Sequence, residues 1–261
     1  MLLGLCWPTA ANTAVIATAG LDYVEENVQN FLAPEGPAAE FAARLAAAGN
    51  AARTIQVANC FLPGTHKCIG PAVDEARLLA YAASAFARAQ RAGIDTIVFG
   101  SGGARGVPAG FSAATAVTQF VGLLCKMAPL AARHGMTLVV EPLNRGEVNF
   151  INTIDEGAEV VNRVNHPSVR LLVDLFHMLR NGETPDAITR HGALLAHAHI
   201  AEKEIRSVPG TKGDDFRPFL RALRQAGYDR RLSLECKIGD LAAELGGALK
   251  ALRGQLADAG Y

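Results

Sequence analysis

Eight short apolar runs alternate with longer helix-compatible segments along the whole chain, and this alternation limits the possible folds more than any other feature. The predicted strands are 2–7, 22–26, 53–61, 95–100, 137–141, 169–174, 194–199 and 231–235. The predicted helices are 38–48, 74–92, 112–134, 155–164, 215–226 and 241–257, with weaker connectors at 9–20 and 182–192. A strand recurs about every 33 residues, a spacing that suits parallel strands joined by crossover helices.

The character of the strands favours a closed barrel of the α/β class. Runs such as LLV and TLVV are apolar without alternation, as expected of strands that are covered on both faces. Three predicted helices end at a glycine shortly before the next strand, at Gly93, Gly135 and Gly227. A doubly wound open sheet is the rival fold, but no G-x-G-x-x-G motif follows the first strand. We therefore predict one domain over 1–261, a single (β/α)8 TIM barrel.

Composition narrows the class of protein. Half of the residues are hydrophobic and 19% are charged, which is typical of a packed globular chain rather than a disordered one. The 25 Lys and Arg residues balance 25 Asp and Glu residues, whereas a nucleic-acid-binding protein usually carries an excess of basic charge. We therefore expect no nucleic-acid partner.

The cysteines and the N-terminus bear on the cellular compartment. Five scattered cysteines without a C-x-x-C pair predict a reduced chain rather than a disulfide scaffold. The apolar N-terminus lacks the basic region of a signal peptide and is interrupted by Trp7, Pro8 and Asn12. No run reaches the roughly 18 uninterrupted apolar residues that a membrane span requires. These features predict a cytoplasmic protein that does not associate with membranes.

The last four predicted strands each end in a residue that can bind a metal. These residues are Glu141, Asp174, His199 and Glu235. In a (β/α)8 barrel the C-terminal ends of the strands carry the active site. A polar residue at one strand end carries little weight, but three converging carboxylates would repel one another unless a cation neutralises them. Three carboxylates and one imidazole suit Mn²⁺ or Mg²⁺, and Co²⁺ or Zn²⁺ can also bind such a set.

Further polar residues follow these strand ends. Glu147 lies six residues after Glu141, His177 three after Asp174, and Arg206 seven after His199. His197 shares a strand face with His199, and we favour a supporting or packing role for it over a role as a ligand.

Loops after earlier strands are expected to shape the far end of the pocket. They contribute Trp7, Glu25, Glu26, Cys60, Ser101 and Arg105. The glycine-rich segment 100–105 is more typical of a tight turn than of a phosphate loop. Two interpretations of Arg105 remain open, a contact to a phosphorylated sugar and a solvated loop arginine.

Four of these segments together resemble a known family. The segments 141–145 (EPLNR), 174–178 (DLFHM), 197–202 (HAHIAE) and 233–235 (SLE) resemble those of the xylose-isomerase-like TIM-barrel superfamily of sugar phosphate isomerases and epimerases. Within it they are most similar to the D-tagatose 3-epimerase and D-psicose (allulose) 3-epimerase group. The likeness is strongest over 137–237, and FGSGGAR followed by GFS also resembles the loop after strand four in relatives of this group.

The resemblance implies a ligand set and a substrate site. The implied metal ligands are Glu141, Asp174, His199 and Glu235, with Mn²⁺ as the first expectation and Mg²⁺ or Co²⁺ as alternatives. The residues implied to hold the substrate oxygens are Glu147, His177 and Arg206. The spacing from the metal-binding histidine to the substrate-binding arginine is one residue shorter in those epimerases than from His199 to Arg206. The assignment of Arg206 therefore requires one inserted residue in its loop. The pair Cys6-Trp7 also stands where an aromatic substrate wall is usual.

The implied reaction is the epimerisation of a ketose at C3, an isomerase activity. A metal stabilises the enediolate that forms when a proton leaves the carbon beside a carbonyl. Glu141 and Glu235 are then the catalytic pair, one removing the proton and the other returning it on the opposite face. The substrate is a small sugar, and the family implies a homodimer or homotetramer.

Three alternatives remain. A hydroxypyruvate isomerase-like or aldose–ketose isomerase activity uses the same constellation for a 1,2 proton transfer. A DNA-repair enzyme of the endonuclease IV type shares the barrel, but its site needs more metal ligands and a basic groove. A catalytically inactive sugar-binding barrel is the third, and the presence of both candidate bases argues against it.

Overall fold

Eight parallel strands close into a barrel in the computed structural model, which describes residues 1–11, 13–49 and 51–261. The strands are β1 (Leu2–Cys6), β2 (Tyr23–Asn27), β3 (Thr54–Asn59), β4 (Thr96–Phe99), β5 (Thr137–Val140), β6 (Val169–Asp174), β7 (Leu195–Ile200) and β8 (Arg231–Leu234). Each strand pairs with the next, and β1 pairs with β8 to complete the ring. The predicted (β/α)8 barrel is confirmed.

Helices connect the strands around the outside of the barrel. They are α1 (Thr13–Thr18), α2 (Ala38–Ala48), α3 (Glu75–Arg91), α4 (Gly102–Arg105), α5 (Ala113–Arg133), α6 (Ile154–Val164), α7 (Leu175–Asn181), α8 (Asp186–His191), α9 (Arg217–Gln225) and α10 (Leu241–Asp258). A π-helical turn at Val28–Leu32 follows β2, and a 3₁₀ turn at Gly192–Leu194 precedes β7.

The structure corrects the predicted connectors. Segments 9–20 and 182–192 contain the short helices α1 and α8, and α7 begins directly after β6. The start of α7 is fixed by Asp174, whose side chain accepts a hydrogen bond from the backbone N–H of Phe176 at 2.8 Å. Helices of six or seven residues are too short to show an amphipathic period, so the sequence pattern misses them. Asn12, which interrupts the apolar N-terminus, lies outside the described residues.

The barrel interior consists of an apolar layer with a polar layer above it. The apolar layer is Tyr23, Val57, Val98, Val139, Leu172 and Ala196. Side chains two residues apart on a strand point to the same side. Five of these apolar residues are followed, two positions later in sequence, by residues that point to the same side of the strand. These are Glu25, Asn59, Gly100, Glu141 and Asp174. The strand period therefore places these five residues in one layer at the C-terminal mouth, where this fold carries its active site.

Gly4 makes room for the largest side chain of the apolar layer. A Cβ atom at Gly4 would lie 2.2 Å from the ring of Tyr23, so a larger residue on β1 would displace that ring. The hydroxyl of Tyr23 contacts the Ser233 hydroxyl at 2.7 Å, which joins β2 to β8 beneath the polar layer. This contact therefore links two strands directly below the polar layer.

Helix α5 has the length and composition of a membrane-spanning helix, with a mean hydropathy of 1.3 and 33% of its most apolar window buried. It packs against α3, α6 and β5 on the outside of the barrel. Its Phe120 ring meets Phe99 and Phe150 edge-on, at centroid distances of 5.2 and 5.6 Å. These contacts are those of an outer helix of a (β/α)8 barrel.

Candidate metal centre and active site

The four predicted ligands meet at the barrel mouth. Glu141 directly follows β5, Asp174 ends β6, His199 lies in β7 and Glu235 directly follows β8. One ligand atom from each residue lies within 4.8 Å of every other. Neighbouring strand ends therefore bring together residues that are 94 positions apart in sequence, from Glu141 to Glu235.

The chemistry of this cluster fits a divalent cation. Glu141, Asp174 and His199 are buried, at 4%, 2% and 0% exposure. Among the residues that the structure describes, Oε1 of Glu141, Oδ2 of Asp174 and Nδ1 of His199 have no hydrogen-bond partner. Buried polar atoms without partners are costly, and a cation bound among these three atoms would satisfy them.

Glu25 fixes the orientation of His199 from below. Its carboxylate oxygens lie 2.9 Å from Nε2 of His199 and 2.8 Å from Nε2 of His197, and its Oε2 accepts a 2.6 Å bond from the Ser233 hydroxyl. Although burial opposes it, the two imidazoles hold the pKa of Glu25 well below its usual range. The ionised Glu25 therefore accepts the proton of His199 Nε2, which turns Nδ1 toward the cluster.

His177 presents a donor to the same cluster. Its Nδ1 faces the backbone N–H of Asn144 at 3.1 Å and the Asn144 side-chain amide at 2.9 Å, so this nitrogen accepts. Burial lowers the pKa of His177, which favours the neutral ring with its proton on Nε2. That nitrogen lies 3.4 Å from Oδ2 of Asp174 and 3.8 Å from Oε1 of Glu141. A substrate oxygen that enters here would meet an N–H donor.

Arg206 reaches the cluster from the loop after β7. It donates from Nε to the carbonyl oxygen of Glu235 at 3.0 Å and also pairs with the Glu235 carboxylate. Its Nη2 lies 3.5 Å from Oδ2 of Asp174, and its Nη1 lies 3.7 Å from Oε1 of Glu147. The guanidinium stands 4.6 Å from the centroid of the Phe176 ring. All three predicted substrate-binding residues thus line or adjoin the cluster.

The loop that carries Arg206 is strained and tightly anchored. Ile205 and Arg206 adopt φ values of +49° and +59°, which are unfavourable for side chains of this kind. The fully buried carboxylate of Glu202 holds the loop by accepting bonds from Gly210 N at 2.8 Å and Ser207 Oγ at 3.0 Å, among others. This anchored backbone directs the Arg206 guanidinium to the site.

The environment separates the proton affinities of the two candidate bases. Burial raises the pKa of Glu141. Although burial acts in the same direction on Glu235, His199 and Arg206 lower its pKa to about 2. Burial also raises the pKa of Asp174 to about 6. Two carboxylates with opposite shifts suit complementary roles as proton acceptor and proton donor.

Two adjoining cavities lie at the mouth of the barrel, and the first of them opens onto the cluster. The first has a volume of about 300 Å³, and its lining includes Asn59, Cys60, Glu141, His177, Arg206 and Glu235. The second has a volume of about 270 Å³, and its lining includes Cys6, Trp7, Glu25, Glu26, Asn59 and Cys60. Asn59 and Cys60 form the wall that the cavities share, and Asn59 donates to Oε1 of Glu235 at 3.2 Å. The predicted loop residues Trp7, Glu25, Glu26 and Cys60 therefore line the second cavity, and Ser101 lines the first.

Both interpretations of Arg105 are wrong. Its side chain is completely buried and donates to two backbone carbonyl oxygens, Phe99 O at 3.3 Å and Glu141 O at 2.8 Å. Burial lowers its pKa to about 10, against the opposing effect of Glu141, so it remains charged at neutral pH. It neither meets solvent nor lines either cavity.

Sequence reasoning assigns no specific role to two residues that support the site. Glu25 is named only as a pocket residue, although its period-2 offset from the apolar Tyr23 places it inside the barrel. Asn144, which orients His177, stands in the quoted EPLNR segment, but no local pattern links it to a residue 33 positions away. The supporting role suggested for His197 agrees with its contact to Glu25.

We expect Glu25→Gln to weaken metal binding about 10- to 100-fold, the usual cost of removing the partner of a ligating histidine. An amide can accept from only one of the two imidazoles, so its NH₂ group would face the other N–H. Titration of the metal-free protein with Mn²⁺ measures the effect. Glu26→Gln is the matched control, because Glu26 is also buried but accepts from the backbone N–H groups of Thr9 and Asn27. Equal affinities in wild type and Glu25→Gln would contradict the role of Glu25.

Comparison with known proteins identifies the class. Residues 13–255 match the family described as the xylose isomerase-like TIM barrel. The chain belongs to this family, which confirms the resemblance of its motifs.

Curated relatives match part of the chain, and within the matched segment about a third of the aligned residues are identical. A putative hydroxypyruvate isomerase of Streptomyces coelicolor is 37% identical over 42% of this chain and 42% of that protein. The L-ribulose 3-epimerase of a Methylomonas species is 32% identical over 44% of this chain and 40% of that protein. The D-psicose 3-epimerase of Ruminiclostridium cellulolyticum is 33% identical over 42% of this chain and 38% of that protein. The matched segment thus spans about two fifths of each relative.

Solved structures share the whole barrel. A D-psicose 3-epimerase crystallised in the presence of D-fructose superposes with a TM-score of 0.79 and 23% identity, covering 99% of this chain and 98% of that one. A 3-keto-D-glucoside 4-epimerase from E. coli superposes with a TM-score of 0.81 and 22% identity, covering 97% of this chain and 99% of that one. At these identities the likeness shows the fold.

Proposed function

We propose that this protein is a divalent-metal-dependent sugar epimerase or isomerase, and specifically a ketose 3-epimerase. The observation that carries the proposal is the convergence of Glu141, Asp174, His199 and Glu235, with ligand atoms within 4.8 Å of one another. Three buried polar atoms of this cluster have no hydrogen-bond partner, and a cavity lined by Glu141 and Glu235 adjoins it. The naming of curated relatives as 3-epimerases and hydroxypyruvate isomerases supports this class.

The proposed metal is Mn²⁺, with Mg²⁺ or Co²⁺ as alternatives, and its ligands are the same four residues. A divalent cation held there would act as a Lewis acid toward the carbonyl and the adjacent hydroxyl of a ketose, which lowers the cost of removing a proton at C3.

Glu141 and Glu235 exchange the proton at C3 in this mechanism. They follow β5 and β8, strands three positions apart around the barrel, and so approach the substrate from different directions. The carboxylate on one face removes the proton, and the carboxylic acid on the other face returns one with inverted configuration. The opposite pKa shifts of the two groups suit this division, because the group with the higher pKa holds a proton more readily and the group with the lower pKa is ionised.

Three residues hold the substrate oxygens. The neutral His177 donates from Nε2 to the carbonyl or enediolate oxygen, and Arg206 adds positive charge beside it. Glu147, which is exposed at the rim and accepts from the Asn144 amide at 2.9 Å, is placed to accept from a hydroxyl group. Donors that are fixed before the reaction stabilise developing negative charge without reorganisation.

The charge of the pocket favours a neutral sugar over a phosphorylated one. Among the described residues that line the two cavities, Arg206 is the only lysine or arginine, and it is already paired with Glu235. The other charged residues of the lining are acidic: Glu25, Glu26, Glu141, Glu147 and Glu235. A phosphate group would therefore enter without a free cationic partner. The amides of Asn59 and Asn27 can instead hydrogen-bond the distal hydroxyls of a polyol.

A hydroxypyruvate isomerase is the second candidate, because a putative enzyme of that name is 37% identical over the matched segment. It requires the same constellation of residues, but for a proton transfer between adjacent carbons of a small anionic substrate. The acidic lining and the second cavity of about 270 Å³ favour a larger neutral substrate.

A substrate panel tests the proposal. The metal-free protein is reloaded with Mn²⁺ and incubated with free ketoses, ketose phosphates, aldoses, hydroxypyruvate and abasic-site DNA, and the products are separated by chromatography. We expect C3 epimers of a neutral ketose, with solvent deuterium incorporated at C3 when the reaction runs in D₂O. Turnover of hydroxypyruvate alone would favour the second candidate, and cleavage of the DNA alone would contradict both.

A further inference from the structure

Arg105 is a completely buried arginine at the end of the glycine-rich segment 100–105, and the proposed reaction gives it no role. It is the largest fully buried side chain of the described residues. A buried guanidinium loses its hydration, so it is retained only where specific contacts compensate. Its contacts therefore indicate what it does.

The guanidinium joins the ends of two strands. Nη1 donates to the carbonyl of Phe99, the last residue of β4, and Nη2 donates to the carbonyl of Glu141, directly after β5. The last ladder bond between these strands, from Glu141 N to Phe99 O, measures 3.3 Å. Arg105 thus fastens the main chain of Glu141 at the point where sheet pairing with β4 stops.

Gly100, the residue after Phe99, leaves space for the Glu141 carboxylate. A Cβ atom at Gly100 would lie 2.1 Å from Oε2 of Glu141. The short helix α4 begins just beyond and carries Arg105 back beneath the strand ends. The segment 100–105 therefore acts on Glu141 twice, by leaving a gap for its carboxylate and by holding its carbonyl.

We propose that Arg105 is a positioning residue that sets the geometry of Glu141 as metal ligand and proton carrier. This inference rests on the proposed metal centre. A planar guanidinium with two N–H groups directed at two carbonyls holds a backbone more rigidly than a single ammonium group does. A ligand displaced by a fraction of an ångström weakens both metal binding and proton transfer.

The test compares metal affinity in wild type, Arg105→Lys and Arg88→Lys. Arg105→Lys keeps the positive charge but removes the planar guanidinium that donates to two carbonyl oxygens at once. Arg88 is the matched control, because it is a half-buried arginine that donates to the backbone carbonyls of Leu32 and Gly36, at 2.8 and 2.6 Å, on the outside of the barrel. Mn²⁺ affinity is measured by calorimetry, the visible spectrum of the Co²⁺ form reports ligand geometry, and thermal unfolding reports stability.

We expect Arg105→Lys to raise the Mn²⁺ dissociation constant about 10- to 100-fold and to alter the Co²⁺ spectrum. Arg88→Lys should lower the melting temperature while leaving both metal readouts at wild-type values. If Arg105→Lys binds metal as the wild type does, Arg105 is only structural and the inference fails alone. If the wild type itself binds no metal, the inference and the proposed function both fail.

A measurement on the wild type covers the case in which Arg105→Lys does not fold. The guanidinium N–H groups are followed by nitrogen NMR with and without Mg²⁺, which is diamagnetic. We expect hydrogen exchange at Arg105 to slow when metal binds, because the ligand and the group that holds it become ordered together, while Arg88 stays unchanged. Identical exchange at Arg105 in both states would overturn the inference.

Discussion

Glu141→Gln and Glu235→Gln are each expected to reduce epimerase turnover by about 10⁴-fold, the upper range for the loss of a positioned acid–base group. Glutamine retains the size of glutamate and an oxygen that can contact a metal, but it cannot carry the proton. Turnover is measured on the preferred ketose from the substrate panel, at metal concentrations that saturate each variant. A decrease of less than tenfold in both variants would contradict the two-glutamate scheme.

The two variants should also differ from each other. In a two-base mechanism each carboxylate removes the proton from only one of the two C3 epimers. Glu141→Gln should therefore retain deuterium exchange from D₂O with one epimer, and Glu235→Gln should retain it with the other. Exchange that disappears for both epimers in one variant and persists for both in the other would indicate a single base.

Gly100→Ala is expected to reduce metal affinity at least tenfold while the protein remains folded. The added Cβ would lie 2.1 Å from Oε2 of Glu141, at the far end of a flexible side chain, so the carboxylate moves and the backbone does not. Gly100 has no positive φ angle, and alanine is therefore tolerated by the main chain. Calorimetric titration with Mn²⁺ and circular dichroism measure the two quantities.

Gly122→Ala is the matched control for this variant. Gly122 lies within α5, and no atom stands within 4 Å of the position that its Cβ would take. We expect wild-type metal affinity and slightly higher stability, because alanine has the greater helix propensity. Wild-type affinity in Gly100→Ala would show that the Glu141 carboxylate does not depend on this gap.

The sequence allowed prediction of the barrel and of the ligand set for the same reason. Parallel strands in a (β/α)8 barrel all end at one mouth, so polar residues after successive apolar runs are close in space even when they are far apart in sequence. Glu141, Asp174, His199 and Glu235 occupy these positions, and the structure brings them together. Arg206 was predicted through a motif, and the loop anchored by Glu202 brings its guanidinium to the Glu235 carboxylate.

What the sequence did not reveal depends on orientation across the barrel. Glu25 contacts His199 over a separation of 174 residues, and only the closure of the barrel brings β2 and β7 to face each other. Arg105 follows glycines in a segment typical of an exposed turn, yet α4 turns its side chain inward beneath Glu141. Composition and spacing predict which residues share a layer but not which way a loop side chain points.

The most direct test of the central claim is calorimetric titration of the metal-free protein with Mn²⁺ at several pH values. We predict one ion per chain, with affinity that rises with pH. Although burial opposes it, Glu25 and Glu235 raise the pKa of His199, so a bound cation must displace a proton from this ring. Asp174→Asn should abolish this binding. Absence of Mn²⁺ binding by the wild type, or undiminished binding by Asp174→Asn, would contradict the proposed metal centre.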